Sequence, residues 1–462
     1  MTEDILRLTA VEMSGLLKSR DVSAMEILEA HLARIEECNP TINAIVALSE
    51  DVARTQAQSV DDRLKNGETV GPLAGLPVGI KDTIDTKGIR TTHGSPLFAD
   101  HVPDRDDIMV ERVKQADAVI IGKTNTPEFA IGGNTVNRVF GATRNPWNTK
   151  LSPGGSTGGG AAGLASCMFP LTLGSDLGGS LRIPASFCGI VGLRPTVGVV
   201  PTGPSALPFE ALGVSGPMAR SPEDIKLMMD VIAHPHSSSP LTQVNSLGLP
   251  TIDVKVLNIA YVPDIAGIGI DPEVLETCEA AAESLKNAGF AVSNETLDLS
   301  EGRETFTTLR GQVVVNAYLS YLNRMDQLEP NLIGNIEKGL NQTPQDIAVA
   351  ENKRAQLWTQ VTECLQAFDL ILTPTLPITP FPVEDNYPDF INGKKMASYI
   401  DWVAPTMIIS LFGIPAVSVP VGLSEDGLPV GLQIIGNKYS ETKLLSLAAE
   451  IQAQNPIGWA PN

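Results

Sequence analysis

Two apolar rhythms divide this chain. Ile27, Leu28, His31, Leu32 and Ile35 recur at the spacing of one helix face, and Thr9-x-x-Glu12 and Ser23-x-x-Glu26 read as capping boxes ahead of such stretches. The pattern predicts helix across residues 9–75, with His31 a core or helix-face residue. Short apolar runs then take over. Pro77–Ile80 reads as a strand running into Lys81 and Asp82, Asp106–Gln115 as a helix, and Ala118–Ile121 as a buried strand. Phe169–Leu173 reads as a further strand. Ser221-Pro-Glu-Asp224 reads as a capping box that opens a helix, with proline at its first position. Residues 234–252 read as a polar surface loop. Strands are predicted at Val256–Val262, Phe290–Leu299, Asp369–Leu372, Ala416–Val421 and Pro429–Ile435, and helices at Asp271–Ala288, 303–366 and Glu441–Ala453. The interleaving shows no repeat and no linker. It predicts one α/β domain over residues 1–462, with a mixed, mostly parallel sheet flanked by helices.

Lys150–Pro195 breaks both rhythms. From Leu151 to Ser175 it carries no charge but seven glycines, which suit tight turns and close backbone approach to a ligand. Ser156 and Ser180 each follow a Gly-Gly pair. The uncharged runs Leu151–Ser175 and Trp402–Ser424 are long enough to span a bilayer, but prolines and glycines break them, so both read as buried core.

Composition narrows the function classes. A chain of 462 residues with 43% hydrophobic residues can bury a large core, and a formal charge of −20 disfavours nucleic acid as a partner. Its five cysteines are widely spaced and never form C-x-x-C, which argues against a disulfide framework or a zinc site. MTEDILRLTA lacks a basic-then-apolar leader, so the expected location is cytoplasmic, without membrane attachment.

Several motif matches mislead. Gly154-Gly-Ser156-Thr-Gly158 fits the nucleophile elbow of α/β-hydrolases, yet the only later histidines, His234 and His236, fall in the polar loop. Ser440-x-x-Lys443 sits at a helix start, where serine serves as an N-cap. Gly122-Lys-Thr124 ends like a phosphate-binding loop, but the required first glycine is Asp117. A serine activated without histidine needs another base, and a buried lysine can supply one. Lys81, at the end of an apolar strand, suits that role or a salt bridge with Asp82. The N–H groups of Asp176-Leu-Gly-Gly-Ser180 could form an oxyanion hole or a plain glycine turn.

The chain resembles the amidase signature family. The matching segments are PLAGLPVGIKD, VIIGKTNTPEFA, GATRNPWN, SPGGSTGGGAAGLA, LGSDLGGSLRIPASFCGIVGLRPT, SGPMARSPED, DLILTPTLPITP, GIPAVSVPVGL and GLPVGLQIIG, in family order from about residue 5 to 455. The resemblance implies a fold of that type, with a core at about 70–220 behind an N-terminal helical segment at about 5–65. It implies that Ser180 is the acylated nucleophile, that Ser156, in a cis peptide, relays the proton, and that Lys81 is the base. Leu177, Gly178, Gly179 and Ser180 would supply oxyanion N–H groups, and Asp176, Arg182 and Thr157 structural support. Thr157 and Ser175 stand where the family often has Ser and Thr, and both keep the hydroxyl. No metal or cofactor is implied.

The reaction implied is hydrolysis of a small-molecule amide or anilide, with esters and carbamates as further candidates. Segments 201–215, 303–325 and 375–402 are the expected pocket walls. Leu207, Phe209, Tyr318, Tyr321, Phe381, Tyr387 and Trp402 make them apolar, although side chains of this kind equally build a core. The rivals are the glutaminase component of a tRNA-dependent amidotransferase, whose expected tyrosine-rich stretch is missing from 300–325, and a catalytically inactive binding scaffold. A monomer or homodimer is expected.

Overall fold

The computed structural model describes residues 2–205, 207–242 and 248–461. Ala206, in the expected pocket segment 201–215, and residues 243–247, in the polar loop, lie outside them. Both amino-terminal capping boxes are present. Thr9 and Ser23 accept from the N–H groups of Glu12 and Glu26, whose carboxylates accept the cap N–H groups in return. Each such cap contributes about 1 kcal/mol. Helices follow at Ala10–Ser19, Ala24–Ile42 and Glu50–Lys65, so residues 9–75 are not uniformly helical: Ile45–Leu48 is an edge strand. Asn39 explains the break, because its side-chain oxygen takes the N–H groups of Ala44 and Ile45 at 2.9 Å each. Four residues are too few for strand alternation to stand out. Ser221 caps the helix Pro222–Ile232, but its partner Asp224 accepts the Val11 N–H instead of returning the bond.

Among the described residues, eleven strands form one sheet. Across it the order is Ile45–Leu48, Val119–Thr124, Pro77–Lys81, Leu171–Asp176, Val214–Ala219, Val191–Arg194, Ala416–Leu423, Pro429–Gly436, Leu370–Pro374, Asn258–Tyr261 and Ala291–Asn294. The sheet is mixed, as expected, but six of its ten pairings are antiparallel, which corrects the mostly parallel expectation. The parallel pairs Pro77–Lys81 with Val119–Thr124 and Asn258–Tyr261 with Ala291–Asn294 lie where a helix carries the chain back. The antiparallel excess comes from a hairpin, 416–436, and from two strands given no element in the sequence pattern, the glycine-bearing Val191–Arg194 and Val214–Ala219.

Alternating side chains feed two apolar clusters. Leu370, Leu372 and Ile434 pack into one, and their neighbours Ile371 and Ile435 into the other, so the sheet is buried on both faces. The two long uncharged runs are divided between short helices and these strands, and no described helix is long and apolar enough to cross a membrane.

Candidate active site

Lys81 ends its strand at the centre of the parallel pairs, with its side chain fully buried. Its Nζ lies 2.7 Å from Ser156 Oγ and 3.0 Å from Ser175 Oγ. It forms no salt bridge with Asp82, whose carboxylate accepts from Thr92 instead. Burial pushes the Lys81 ammonium down to about 7, against a weaker opposing pull from Asp176.

Ser156 follows a cis peptide bond from Gly155, at the entrance to the helix Gly158–Ala165. Of the three glycines that open the helix, Gly159 runs against backbone, where a Cβ would collide with the N–H and carbonyl of Asn125, and Gly158 runs against the Thr135 side chain. Thr157 ties this loop to the second serine, its N–H donating to the Ser180 carbonyl at 3.2 Å and its hydroxyl to the Ser175 carbonyl at 3.4 Å.

Ser180 closes a turn between the strand Leu171–Asp176 and the helix Arg182–Cys188. Gly179 has φ of +121°, and a Cβ there would collide with the Thr406 hydroxyl. Asp176 shapes the turn from beneath, its carboxylate accepting the N–H groups of Gly179 at 2.9 Å and Leu181 at 3.2 Å. Of the four N–H groups expected at the oxyanion site, that of Gly179 is therefore engaged. Those of Leu177, Gly178 and Ser180 have no partner among the described residues.

Two buried guanidiniums hold Asp176. Arg182 donates to it through Nε at 3.0 Å and Nη2 at 2.9 Å, and Arg194 through Nη1 at 3.2 Å. Burial alone would raise the carboxyl, but the Arg182 and Arg194 charges outweigh it and hold Asp176 well below the usual carboxylate range. Arg182 also donates to the Thr406 carbonyl, Gln433 and Ser410, and Arg194 to the Leu212 and Ser410 carbonyls. Burial brings the Arg194 guanidinium down to about 10.

Ser156, Ser175, Leu177, Gly178 and Ser180 line one cavity of about 500 Å³, a size suited to a small-molecule ligand. The expected pocket residues divide. Leu207 and Tyr318 face the cavity. Phe209 does not: it sits in an exposed turn, 76% accessible. Tyr321 packs beside the cavity wall against Phe98, Phe129 and Tyr318. Trp402 belongs to the core, its indole stacked on Phe187 at 5.6 Å and edge-on to Phe381 at 5.2 Å, with its N–H donated to the Tyr399 carbonyl. Unexpected walls come from Ile84, His93, Asp107 and Phe129 to Gly133, whereas Arg310 and Tyr399 come from the expected segments 303–325 and 375–402. Burial pushes the Asp107 carboxyl up to about 6, although it accepts the N–H groups of Met109 and Gly203.

A family model described as Amidase matches residues 26–445. The chain belongs to the amidase family. It is an amide hydrolase by that membership. This amidase is 34% identical to an acylamidase of Rhodococcus erythropolis, over 100% of this chain and 98% of the relative. It is 35% identical to a component of the glutamyl-tRNA(Gln) amidotransferase of Synechococcus sp. (strain CC9605), over 94% of each. The crystal structure of a bacterial aryl acylamidase of the amidase signature enzymes superposes with a TM-score of 0.91 at 27% identity, over 97% of this chain and 96% of the other.

The misleading motifs of this amidase have structural explanations. Lys443 pairs with Asp369 at 2.7 Å, and the Ser440 hydroxyl donates to the Asn437 carbonyl. His234 and His236 bond within their own loop or the helix before it. His31 is buried, its Nδ1 2.9 Å from the Ile27 carbonyl.

Proposed function

We propose that this amidase cleaves the C–N acyl bond of small, largely apolar amides and anilides through an acyl-enzyme on Ser180. Neutral Lys81 takes a proton from Ser156, which takes one from Ser180, and Ser180 Oγ attacks the carbonyl carbon. The N–H groups of Leu177, Gly178 and Ser180 meet the oxyanion, while Gly179 serves the turn through Asp176. The hydroxyl chain then returns a proton to the leaving amine, and water releases the acyl group. Esters and carbamates offer the same carbonyl and are further substrates.

The observation that carries this reading is the Lys81 amine, buried at 2.7 Å from Ser156 Oγ, with Ser156 and Ser180 opening on one cavity. The Ser180 hydroxyl has no protein partner among the described residues, so its bond to Ser156 forms as substrate enters, as catalytic bonds commonly do. Ile84, Met109, Phe129, Leu177, Ile183 and Val313 supply the apolar lining. The same reading takes the protein as a cytoplasmic monomer or homodimer without a nucleic-acid partner, in keeping with its charge of −20.

The amidotransferase relative supports a second reading, a glutaminase that passes ammonia to a partner. A panel of anilide, aliphatic amide, ester, carbamate and glutamine substrates separates the two: anilide turnover well above glutamine turnover is expected. Glutamine hydrolysis in excess would favour the glutaminase. A fluorophosphonate should label Ser180, as read by peptide mass. Label elsewhere, or full turnover by a folded Ser180→Ala protein, would sink the acyl-enzyme.

A further inference from the structure

We propose that Asp85, His93 and His101 form a binding site for a borderline transition-metal cation such as Zn(II), at the rim of the active-site cavity. The three residues lie on the excursion that leaves the Lys81 strand and returns at Asp107, and His93 also lines the cavity. One carboxylate oxygen and one nitrogen of each imidazole lie within 4.8 Å of one another, with Asp85 Oδ1 and His93 Nε2 3.8 Å apart. Zinc bonds of about 2.1 Å in a tetrahedral site set ligand atoms roughly 3.4 Å apart, so small side-chain rotations close the gap.

Asp85 Oδ1 supplies an independent observation. It is buried and has no hydrogen-bond partner among the described residues, a state that calls for a donor or a cation. Neither imidazole has a hydrogen-bond partner among the described residues. Their rings lie 6.3 Å apart at 27°, and Phe98 meets both edge-on, at 5.0 Å and 5.6 Å, so the pair is already held in place. At His93, Asp85 favours a positive charge and the Lys123 ammonium opposes one. Asp82, Asp85, Asp106 and Asp107 all act on the Lys123 ammonium, which is itself occupied by Ile84, Thr86 and Thr91. Lys114 is taken by Asp106 at 2.8 Å.

Two imidazoles and one carboxylate select zinc-like cations over calcium or magnesium, and leave a coordination position open. An ion held there would brace the excursion and narrow the entrance beside His93. The site stands apart from the acyl-enzyme reading, because metal binding is measured without substrate.

The test is to titrate the full-length, chelator-treated protein with Co(II), then displace it with Zn(II). Saturable binding of one equivalent at micromolar concentration is expected, with the visible absorption of a four-coordinate site and a higher melting temperature in zinc. His101→Ala and Asp85→Asn should each weaken binding at least about tenfold. His101→Ala should keep its circular dichroism and basal hydrolysis, which separates loss of a ligand from loss of fold. Should it fail to fold, Asp85→Asn decides alone. Absence of the Co(II) spectrum, affinity only at millimolar metal, or unchanged titrations in the folded variants would overturn the site.

Discussion

Lys81 and Lys123 stand on neighbouring parallel strands, and both are shut away from water. Burial lowers both ammonium groups, Lys81 to about 7 and Lys123 to about 8. Their partners differ in kind. Lys123 Nζ donates to the Ile84 carbonyl and to the hydroxyls of Thr86 and Thr91, with four carboxylates close by. A carbonyl can only accept, so it favours a lysine that keeps its protons. Among the described residues Lys81 meets only hydroxyls, those of Ser156 and Ser175. A hydroxyl can turn and donate, so a neutral amine is satisfied there. Burial alone does not make a base; the partner decides.

Parallel substitutions can break that contrast. Lys81→Met should lower kcat/KM by ~10²–10⁴-fold, the usual worth of a general base. It should also stabilise the fold in mildly acidic buffer. Because the folded pKa lies below the unfolded one, Lys81 costs stability in full below about pH 7, and the cost fades as pH rises towards 10.5. The shift corresponds to a cost on the order of 5 kcal/mol. Urea melts at pH 6.5 and 9.5 should show the variant's advantage shrinking. Lys123→Met should do the reverse, losing about 3–5 kcal/mol of stability because buried acceptors and acids lose their cation. If the two variants move stability in the same direction, the contrast fails.

Two smaller effects sharpen it. With chemistry limiting, kcat/KM should rise about tenfold per pH unit up to about 7 and then level off, as Lys81 loses its proton. A flat profile from pH 5 to 9 would remove Lys81 from the mechanism. Ser175→Ala deletes one of the two hydroxyls on the lysine, worth about 1 kcal/mol, and should cost roughly fivefold in kcat/KM while keeping the pH limb. An unchanged rate would leave Ser156 as the only contact that matters.

Lys81, Ser156 and Ser180 each end a run of glycine or apolar residues, but local sequence leaves a salt bridge or a plain glycine turn open, and their proposed roles come from the family resemblance. Ser175 was harder for a simple reason. Read as strand only to Leu173, the segment leaves Ser175 in a turn, whereas the strand continues to Asp176. Alternation then sends Ser175 towards Lys81 and Asp176 towards the arginines. Arg194 escaped notice because a four-residue strand gives no hint that its last side chain turns inward under Asp176. Aromatic composition suggested a pocket but could not say which rings face it. Trp402 fills the core and Phe209 faces solvent, while Tyr318 reaches the cavity. His93 and His101 share no metal-binding spacing pattern, and only the fold brings them beside Asp85.

The bonds made by Arg182 have a consequence for the order of synthesis. All three proposed catalytic side chains have left the ribosome once residue 180 has emerged. Yet Arg182, which holds Asp176 and so the turn that carries Ser180, is completed by Thr406, Ser410 and Gln433. A nascent amidase therefore carries all three proposed groups without a finished turn until residue 433 is made. Chains stopped at residue 400 should accordingly escape fluorophosphonate labelling, and labelling at the full-length rate would show that the turn matures alone. On this reading the hydrolase is switched on by residues 406–433, which contribute none of the three proposed reacting groups.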